Sequence, residues 1–410
     1  MRKGWVELKL CEIGETQTGN TPATNEPDNY GNFIPFVKPA HFKVDGTIDS
    51  EESGLSKKGL KSARLFKANS ILMVCIGATI GKTGFSEIPV TSNQQINALT
   101  PKPEFEPRFF YYALTTDSFF KKIILGSSQA TLPIINKSKW ENLTVSVPKS
   151  KMEQKQIVSI LDEAFAAIDQ AKENLQRNLQ NAKDLFESQR ETEFANLGKE
   201  LEGKSLEDFF SIKHGLAFKS QYFSNDGHYV LLTPGNFFEE GGYRDRGDKQ
   251  KYYIGEIPSD YILHKNDILI AMTEQAAGLL GSPIIVPESD AFLHNQRLGL
   301  IVFKNKNEVD TNFLFHLFNT KRIRKSIHES SSGVKVRHTS PTKVLQIRAF
   351  VPNISIQQQI GEKLDVLFVE TNQLKELYGQ NLRKLEQLKK SILQKAFSGE
   401  LVRPERAISS

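Results

Sequence analysis

The stretch that decides the fold is 151-KMEQKQIVSILDEAFAAIDQAKENLQRNLQNAKDLFESQRETEFA, which is matched by 355-SIQQQIGEKLDVLFVETNQLKELYGQNLRKLEQLKKSILQKAFS. The shared positions lie at an offset of 203 and include Gln156 and Gln359, Leu161 and Leu364, Asp162 and Asp365, Phe165 and Phe368, and Leu185 and Leu388. A repeat with a period of half the chain is too long for a solenoid. It indicates a tandem duplication of a whole domain with its helix, and it predicts a pseudo-twofold axis.

The globular parts on either side of these helices repeat more faintly. Leu10 to Gly19 resembles Leu206 to Gly215, Asn69-Ser-Ile-Leu-Met resembles Asn266-Asp-Ile-Leu-Ile, and Ser92-Asn-Gln-Gln resembles His294-Asn-Gln-Arg. The two halves diverge most in 20–68 against 216–265 and in 126–146 against 330–350. A frame that repeats while its loops differ is typical of one scaffold that presents two recognition surfaces.

The closing stretches have apolar residues at alternating spacings of three and four, which is the pattern of a coiled-coil seam. About 40 residues at a rise of ~1.5 Å make a rod on the order of 60 Å. We therefore expect the two helices to pair antiparallel with each other; the alternative is two core helices packed on their own domains. The predicted partner-helix interface consists of Leu161, Phe165, Ile168, Leu175, Leu179, Leu364, Phe368, Leu374, Tyr378, Leu385 and Leu388.

The sequence thus predicts an α+β fold of two pseudo-twofold-related α/β domains separated by two long antiparallel coiled-coil helices. The predicted segments are a first domain at 1–149, a first helix at 150–197, a second domain at 198–353, a second helix at 354–399 and a C-terminal tail at 400–410.

Composition limits the class of protein. The 410 residues are 39% hydrophobic and 25% charged, which is ordinary for a globular protein. No stretch approaches the ~18–20 apolar residues of a membrane span, and two cysteines are too few for a disulfide framework. We therefore expect a cytoplasmic protein. The net charge of +5 is compatible with a nucleic-acid partner without requiring one.

Several motifs look catalytic but lack a required part. Gly77-Ala-Thr-Ile-Gly-Lys-Thr has three residues between its glycines where a phosphate-binding P-loop needs four. The 17 prolines include no Pro-Pro pair of the kind that an amino-methyltransferase loop needs, and the eight histidines have no zinc-ligand spacing. Pro27-Asp28 has no Glu/Asp-x-Lys partner for a metal-dependent nuclease. We expect no catalytic residue and no metal site in this chain.

The combined pattern resembles the specificity subunit of type I restriction–modification enzymes, over the whole chain. The resemblance rests on Trp5-x-x-x-x-Leu-x-x-Ile-Gly, Ile71-Leu-Met-Val with Gly77-Ala-Thr-Ile-Gly-Lys, Ser92-Asn-Gln-Gln, Phe109-Phe-Tyr-Tyr-Ala-Leu, and Val147-Pro148 with Glu153-Gln-Lys-Gln-Ile. Each motif alone is weak, but their order occurs twice.

The resemblance implies a non-catalytic DNA reader with two target-recognition domains, one for each half of a bipartite site. The helices would act as a ruler and would dock two methyltransferase subunits, with motor–nuclease subunits joining them. S-adenosylmethionine, ATP and Mg are expected on those partners, with no cofactor in this chain. The competing interpretations are a stand-alone sequence-specific DNA-binding protein and a coiled-coil scaffold.

The polar, divergent stretches are where DNA contacts are expected, since phosphate contacts position a domain and base-edge contacts specify sequence. The backbone amides and lysine of the glycine-rich turn could also meet a phosphate; the second turn has no lysine. The predicted DNA-binding residues are Lys38, His41, Lys43, Thr79, Lys82, Thr83, Ser128, Gln129, Asn236, Arg244, Arg246, Ser332, Lys335, Arg337 and His338.

Overall fold

The chain divides into two compact units, each with its own sheets and core. The computed structural model describes residues 4–43, 46–50, 54–128, 132–275, 278–398 and 400–401. Unit 1 comprises residues 1–175 and 380–410, and unit 2 comprises residues 176–379. Each unit therefore contains one globular repeat together with a part of each long helix. Because the two units are defined by compactness, they do not test the domain limits predicted above, which stay predictions.

Unit 1 has nine strands and five short helices before the first long helix, counted over the described residues. The strands are β1 Trp5–Lys9, β2 Gly14–Thr18, β3 Tyr30–Val37, β4 Gly54–Leu55, β5 Ser70–Val74, β6 Thr83–Ser86, β7 Thr91–Ser92, β8 Ile96–Pro101 and β9 Thr144–Pro148. The helices are α1 Leu10–Ile13, α2 Lys57–Leu60, α3 Pro107–Leu114, α4 Asp117–Gly126 and α5 Lys137–Glu141. Three sheets result, in the strand orders β2-β8-β5-β6, β4-β3-β7 and β1-β9.

The central strand β5 is buried on both faces. Ile71 and Met73 point into the core that α3 and α4 cover, whereas Leu72 and Val74 point into a second core next to Val37. Successive side chains of a strand face opposite sides, so a continuous apolar run is what a strand between two cores requires. The run Ser70-Ile-Leu-Met-Val therefore forms a central strand.

The first long helix, α6, spans Lys151–Glu200 and leads from unit 1 into unit 2. The strands that follow it are β10 Lys204–Ser205, β11 Phe210–His214, β12 Phe223–Ser224, β13 Tyr229–Leu231, β14 Tyr252–Tyr253, β15 Ile268–Ala271, β16 Thr273–Glu274, β17 Pro283–Ile285, β18 Phe292–Leu293, β19 Leu298–Phe303, β20 Arg337–His338 and β21 Arg348–Ala349. The helices are α7 Thr311–Phe318, α8 Lys321–Ser330, α9 Pro341–Leu345 and the second long helix α10 Ile354–Ser398.

Unit 2 repeats the sheet plan of unit 1. The order β11-β19-β15-β17 corresponds to β2-β8-β5-β6, and the pair β10-β21 corresponds to β1-β9. The parallel pairing of β13 with β18 corresponds to that of β3 with β7. The central strand β15 again separates two cores, with Ile268 and Ile270 on one side and Leu269 and Ala271 on the other.

The two long helices pair antiparallel within each unit. In unit 1, Lys389 of α10 contacts Asp169 of α6 at 3.2 Å, and Lys172 pairs with Glu386 further along α6. The residue numbers therefore fall along α10 as they rise along α6. Unit 2 shows the same sense, because Phe186 contacts Phe368 and Glu193, further along α6, pairs with Lys363. The predicted mixed α/β fold with two repeats and two long paired helices is confirmed.

The first turns of both helices also pack on a globular core. Ile157, Val158 and Leu161 belong to the core of unit 1, and Ile360 and Leu364 belong to the core of unit 2. Each helix thus combines the two arrangements weighed above: it is a core helix at its start and a partner of the other helix further along.

Candidate functional site

In unit 1 the glycine-rich turn lies beside the divergent loop after α4. Gly77 and Gly81 have φ of 107° and 86°, values that favour glycine. The Gly77 amide donates to the Pro133 carbonyl at 3.0 Å, and Ile76 bridges to Ile134. Two stretches that are more than 50 residues apart in the sequence therefore form one surface.

The segment Lys38–Lys43 joins the same surface through Lys82. The Lys82 ammonium lies 3.5 Å from the Phe42 carbonyl. A short 3-10 turn at Pro39–His41 shapes this segment, and the His41 Nδ1 accepts the Lys38 amide at 3.2 Å. Burial lowers the pKa of His41, with the neighbouring Lys38 acting in the same direction. The structure thus brings together all three stretches that were predicted for the first domain.

The individual side chains of this surface differ in access. Lys38, Lys43, Lys82 and Ser128 are exposed, and His41 and Thr79 are half-buried. Lys43 forms an ion pair with Asp49 at 2.8 Å, which offsets part of its charge. Gln129 lies outside the described residues.

Thr83 does not fit its predicted role. Its side chain is buried at 6% exposure, and its hydroxyl donates to the Gly81 carbonyl at 3.0 Å. Thr83 begins strand β6, where it faces inward to close the turn. The strand register directs this residue into the sheet, so the structure gives no support to a DNA contact by Thr83, which stays a prediction.

In unit 2 a buried carboxylate organises the corresponding turn. Glu274 is 4% exposed, and its Oε2 accepts the amides of Gly278 at 3.1 Å and Leu280 at 2.9 Å. Glu274 lies at the position that Gly77 occupies in the first turn, at the offset of 197 that aligns Asn69 with Asn266. The second turn is thus closed by an acidic side chain, where the first turn instead carries an exposed lysine.

The second divergent segment, 236–246, lies against this turn. The Gly242 amide donates to the Pro283 carbonyl at 2.9 Å, and the Ser282 hydroxyl donates to the Phe238 carbonyl at 2.6 Å. Arg244 is exposed and stacks over the Phe238 ring at 5.9 Å. Arg246 is half-buried.

Asn236 has a structural role in this segment. It is 1% exposed, and its side chain accepts the Thr233 amide at 3.0 Å and donates to Gln250 at 3.1 Å. Its amide group is used inside the loop, so the structure gives no support to a DNA contact by Asn236, which stays a prediction. It takes the place that His41 has in unit 1, at the end of a 3-10 turn that starts with proline.

The third stretch, Ser331 to His338, forms a loop paired with the turn. Strand β20 pairs with β16, so that Arg337 lies opposite Glu274 and His338 opposite Thr273. Ser332, Lys335 and His338 are exposed, and Arg337 is half-buried with its Nη1 at 3.4 Å from the Ser331 hydroxyl. The loop therefore presents cationic and polar side chains next to the turn.

Sequence reasoning missed three residues of these surfaces. Glu274 and Gln250 organise the turn and the loop, and Val334 is 99% exposed at the tip of the 331–338 loop. The repeated Pro39 and Pro234, each opening a 3-10 turn, were the available signal for the loop that Gln250 organises, whereas no sequence pattern indicated the role of Glu274. No sequence pattern indicated the exposure of Val334.

The residues predicted for the helix interface are buried, half-buried or exposed, and so fall into three groups. Leu161, Ile168 and Leu364 are buried, and Phe165 contacts Tyr112 and Lys389 within unit 1. The half-buried positions are Leu175, Leu179, Phe368, Tyr378 and Leu385. Leu374 and Leu388 are 42% and 47% exposed, so apolar surface remains open on α10.

The described residues contain neither a cluster suited to a metal ion nor a helix suited to a membrane. Over the described ranges, no group of three or more His, Cys, Asp or Glu side chains is arranged to hold a metal ion. Among the helices described, none is both long and apolar enough to cross a membrane.

Known proteins share this sequence pattern. The profile of the type I restriction modification DNA specificity domain matches residues 2–180 and 198–386. The HindI specificity subunit of Haemophilus influenzae is 29% identical over 171 residues, which cover 40% of this chain and 37% of that subunit. The StySPI specificity subunit of Salmonella potsdam is 22% identical over 431 residues, which cover 99% of this chain and 91% of that subunit.

Solved structures share the fold. A chain from a structural study of complex assembly and conformational transition in the type I R-M system superposes with a TM-score of 0.78 at 14% identity, covering 98% of this chain and 99% of its own length. The HsdS subunit from Thermoanaerobacter tengcongensis superposes with a TM-score of 0.62 at 15% identity, covering 98% of both chains. With two profile matches that span both repeats, the chain belongs to the type I restriction modification DNA specificity domain family.

Proposed function

We propose that this chain is the non-catalytic DNA sequence-specificity subunit of a type I restriction–modification complex. Each unit would read one half of a bipartite DNA site. The relatives named above are specificity subunits, which supports this assignment over a stand-alone DNA-binding protein or a coiled-coil scaffold.

The observation that carries the proposal is the repeated convergence of three divergent segments. In each unit three segments meet on one surface: a 3-10 turn segment, a glycine turn, and the loop after α4 in unit 1 or after α8 in unit 2. The framework beneath them is the same, but the exposed side chains differ: Lys38, Lys43 and Lys82 in unit 1, and Arg244 and Lys335 in unit 2. Two surfaces of one design with different side chains suit the reading of two different half-sites.

The paired helices would supply the second part of the function. We propose that they fix the unread gap between the half-sites and dock two methyltransferase subunits, to which motor–nuclease subunits are added. Exposed leucines on α10, among them Leu374 and Leu388, offer apolar surface for such docking. S-adenosylmethionine, ATP and Mg would be bound by the partners, and the complex would act in the cytoplasm.

The experiment is methylation mapping with a variant of one loop. The chain is co-expressed with its methyltransferase partner in a host free of adenine methylation, and the modified sites are read by long-read sequencing. We expect adenine methylation in both halves of a split sequence, and none when either protein is omitted.

A matched pair of variants tests the assignment of the loops. Replacing 331–338 with a Gly/Ser segment of equal length should alter or abolish recognition of one half-site only. The same replacement of the exposed segment 305–308 should leave both half-sites unchanged. Robust methyl transfer by the purified chain alone would refute the non-catalytic assignment.

A further inference from the structure

Arg190 of α6 is a buried cation without a matching anion. Its side chain is 7% exposed, and its Nε has no hydrogen-bond partner among the described residues. Among the described residues, the only carboxylate oxygen within ion-pair distance of Arg190 is Glu191 Oε1, at 4.0 Å from Nε. That oxygen already accepts the Lys321 amide at 2.7 Å. A buried charge is costly unless it is paired and hydrogen-bonded. Arg190 therefore has unused capacity for an anion.

A second arginine from α8 has the same property. Arg324 donates through Nη2 to the Glu239 carbonyl at 2.9 Å and to the Gly278 carbonyl, whereas its Nη1 is buried without a partner. Arg190 and Arg324 line one cavity of about 350 Å³ that lies wholly within unit 2. Two guanidinium groups from different helices thus have unpaired donors beside the same space.

The charges that line this cavity do not balance. Five cationic residues line it, Lys183, Arg190, Lys321, Arg324 and Lys375, against three carboxylates, Glu187, Glu239 and Glu240. Two further carboxylates act on the arginines from outside the lining: Glu191 on Arg190 and Glu274 on Arg324. Burial nevertheless lowers the pKa values of Arg190 and Lys375 and brings that of Arg324 to about 10, so these carboxylates do not fully compensate for burial. The lining itself is therefore richer in cations than in carboxylates.

We propose that this cavity binds a compact oxyanion of the phosphate class. A phosphate group carries negative charge and several acceptor oxygens, which suits the unpaired arginine donors and the cations that come from α6, α8 and α10. A carboxylate has one charge and two oxygens in one plane, so it would leave part of the donor set unused. The arginine forks are suited to tetrahedral oxyanions.

Two kinds of ligand could supply the phosphate group: inorganic phosphate and the phosphate ester of a nucleotide. The rings of Phe186 and Phe368 lie 5.4 Å apart and form an apolar side next to the cations. The volume falls within the range of small-molecule pockets, which begins at about 300 Å³. Inorganic phosphate would use the arginines alone, whereas the phosphate ester of a nucleotide would also place its base against the phenylalanine rings.

The test is a titration of the full-length chain in the absence of DNA. Binding is measured by calorimetry, and stabilisation is measured by thermal unfolding. The probes are inorganic phosphate, adenosine monophosphate and acetate, each at constant ionic strength set with chloride. We expect saturable binding of phosphate and a rise of a few degrees in the midpoint of unit 2 at saturation, because a ligand of the folded state stabilises it. Tighter binding of adenosine monophosphate identifies the ester as the source, and equal binding identifies phosphate itself. An equal response to acetate would overturn the phosphate class.

Variants separate the proposed site from general charge effects. Arg190→Met and Lys375→Met should each weaken phosphate binding by about tenfold or more, whereas Lys304→Met, an exposed cation of the same unit, should not. In phosphate-free buffer Arg190→Met should unfold at the same or a higher temperature than the wild type, because an uncompensated buried charge has been removed. Should Arg190→Met fail to fold, Lys375→Met decides. Wild-type phosphate affinity in Lys375→Met, or in a folded Arg190→Met, would overturn the proposal.

Discussion

Buried glutamines hold the start of each long helix. The Gln154 amide donates to the Pro148 carbonyl at 2.9 Å, and its oxygen accepts the Glu106 amide at 2.9 Å. In unit 2, Gln357 makes the corresponding bonds to the Pro352 carbonyl at 2.8 Å and from the Asp310 amide at 2.9 Å. One side chain thus ties the end of a strand, the start of a long helix and the loop before α3 or α7. This clamp fixes how each globular repeat joins its helix.

Lys82 provides a prediction about phosphate contact. It is exposed beside the 38–43 segment, and among the described residues its ammonium contacts only the Phe42 carbonyl, at 3.5 Å. If it contacts a DNA phosphate, Lys82→Ala should weaken binding to all sequences alike and reduce the salt slope by about one. Fluorescence anisotropy of the assembled methyltransferase complex over a range of salt measures both effects. Lys149→Ala, an exposed cation outside the divergent stretches 20–68 and 126–146, serves as the control. An unchanged slope would exclude a phosphate contact.

Arg337 provides a prediction about base reading. It lies half-buried opposite Glu274, and its contacts to Ser331 and His328 are both 3.4 Å, long enough to leave its donors free for a better acceptor. Arg337→Ala should relax the base preference at one position of one half-site. The free energy of discrimination against the wrong base at that position should fall by roughly 1–3 kcal/mol. Relative affinities over a library of single-base variants of the target measure this. A uniform loss of affinity over all sequences would instead indicate that Arg337 contacts the DNA backbone.

His294 makes the stability of unit 2 depend on pH. It is fully buried, its Nε2 lies 3.0 Å from the Leu298 carbonyl, and burial lowers its pKa to about 4. The unfolded chain binds the proton near pH 6.5, so the folded state loses stability as pH falls from 6.5 towards 4, by up to roughly 3 kcal/mol. His294→Gln keeps an amide donor and should flatten the urea-unfolding free energy over this range. His264→Gln, whose side chain is 69% exposed, should leave the slope unchanged. A wild-type slope in His294→Gln would show that other groups set the pH dependence.

At the scale of elements, the helices differ along their length in what they contribute to stability. Leu161 of α6 is fully buried in the core of unit 1, whereas Leu185 on the same helix is 61% exposed. Leu161→Ala should lower the free energy of unfolding by about 2–5 kcal/mol because it leaves a cavity. Leu185→Ala should change it by no more than about 0.5 kcal/mol. Denaturant unfolding followed by circular dichroism distinguishes the two, and equal losses would contradict the burial that separates them.

The repeated frame could be predicted from the sequence because its signals are local. The seam at three and four spacing, the apolar run of β5 and the paired Asp162 and Asp365 all lie within short windows. In the structure these two aspartates accept hydrogen bonds from Tyr112 and from His316, although neither contact was predicted. Tyrosine and histidine share no sequence pattern, but both occupy the same place on α3 and α7.

The loops could not be predicted because their side chains are directed by distant partners. Asn236 resembled a base reader, yet Gln250, fourteen residues later, draws its side chain into the loop. Thr83 looked like part of an exposed turn, but pairing of β6 with β5 turns it inward. Whether a polar residue in a divergent segment is exposed thus depends on tertiary contacts that no local pattern carries.

At the scale of the whole molecule, the chain alternates between its two compact units. Helix α6 begins in unit 1 and ends in unit 2, and α10 begins in unit 2 and ends in unit 1. Phe397, near the end of α10, packs against Phe109 with ring centroids 5.1 Å apart, so the C-terminal part of the chain completes the core of the first repeat. Unit 1 is therefore built from two separate stretches of sequence, whereas unit 2 is one continuous stretch, and both helices are covalent connections shared by the two units.

Because both helices connect the two units, helix length can be changed to test whether the helices set the gap between the half-sites. Inserting four residues after Gln180, close to one helical turn, adds about 6 Å of rise with little rotation. If the helices set the spacing of the half-sites, the unread gap of the target should lengthen by one or two base pairs, at ~3.4 Å each. Both half-site sequences should remain as they were. Methylation mapping of the insertion variant with its methyltransferase partner reads the gap and the half-sites together.

An insertion of two residues at the same place separates helix length from helix pairing. It adds only about 3 Å of rise but turns the apolar seam beyond it by roughly 200°, at 100° per residue. Pairing of α6 with α10 or docking of the partner should then fail, so that methylation is lost and the gap does not shift. A ruler requires both results: a longer gap with four residues and loss of methylation with two. A four-residue insertion that left the gap unchanged, or that altered a half-site sequence, would show that something other than these helices fixes the spacing.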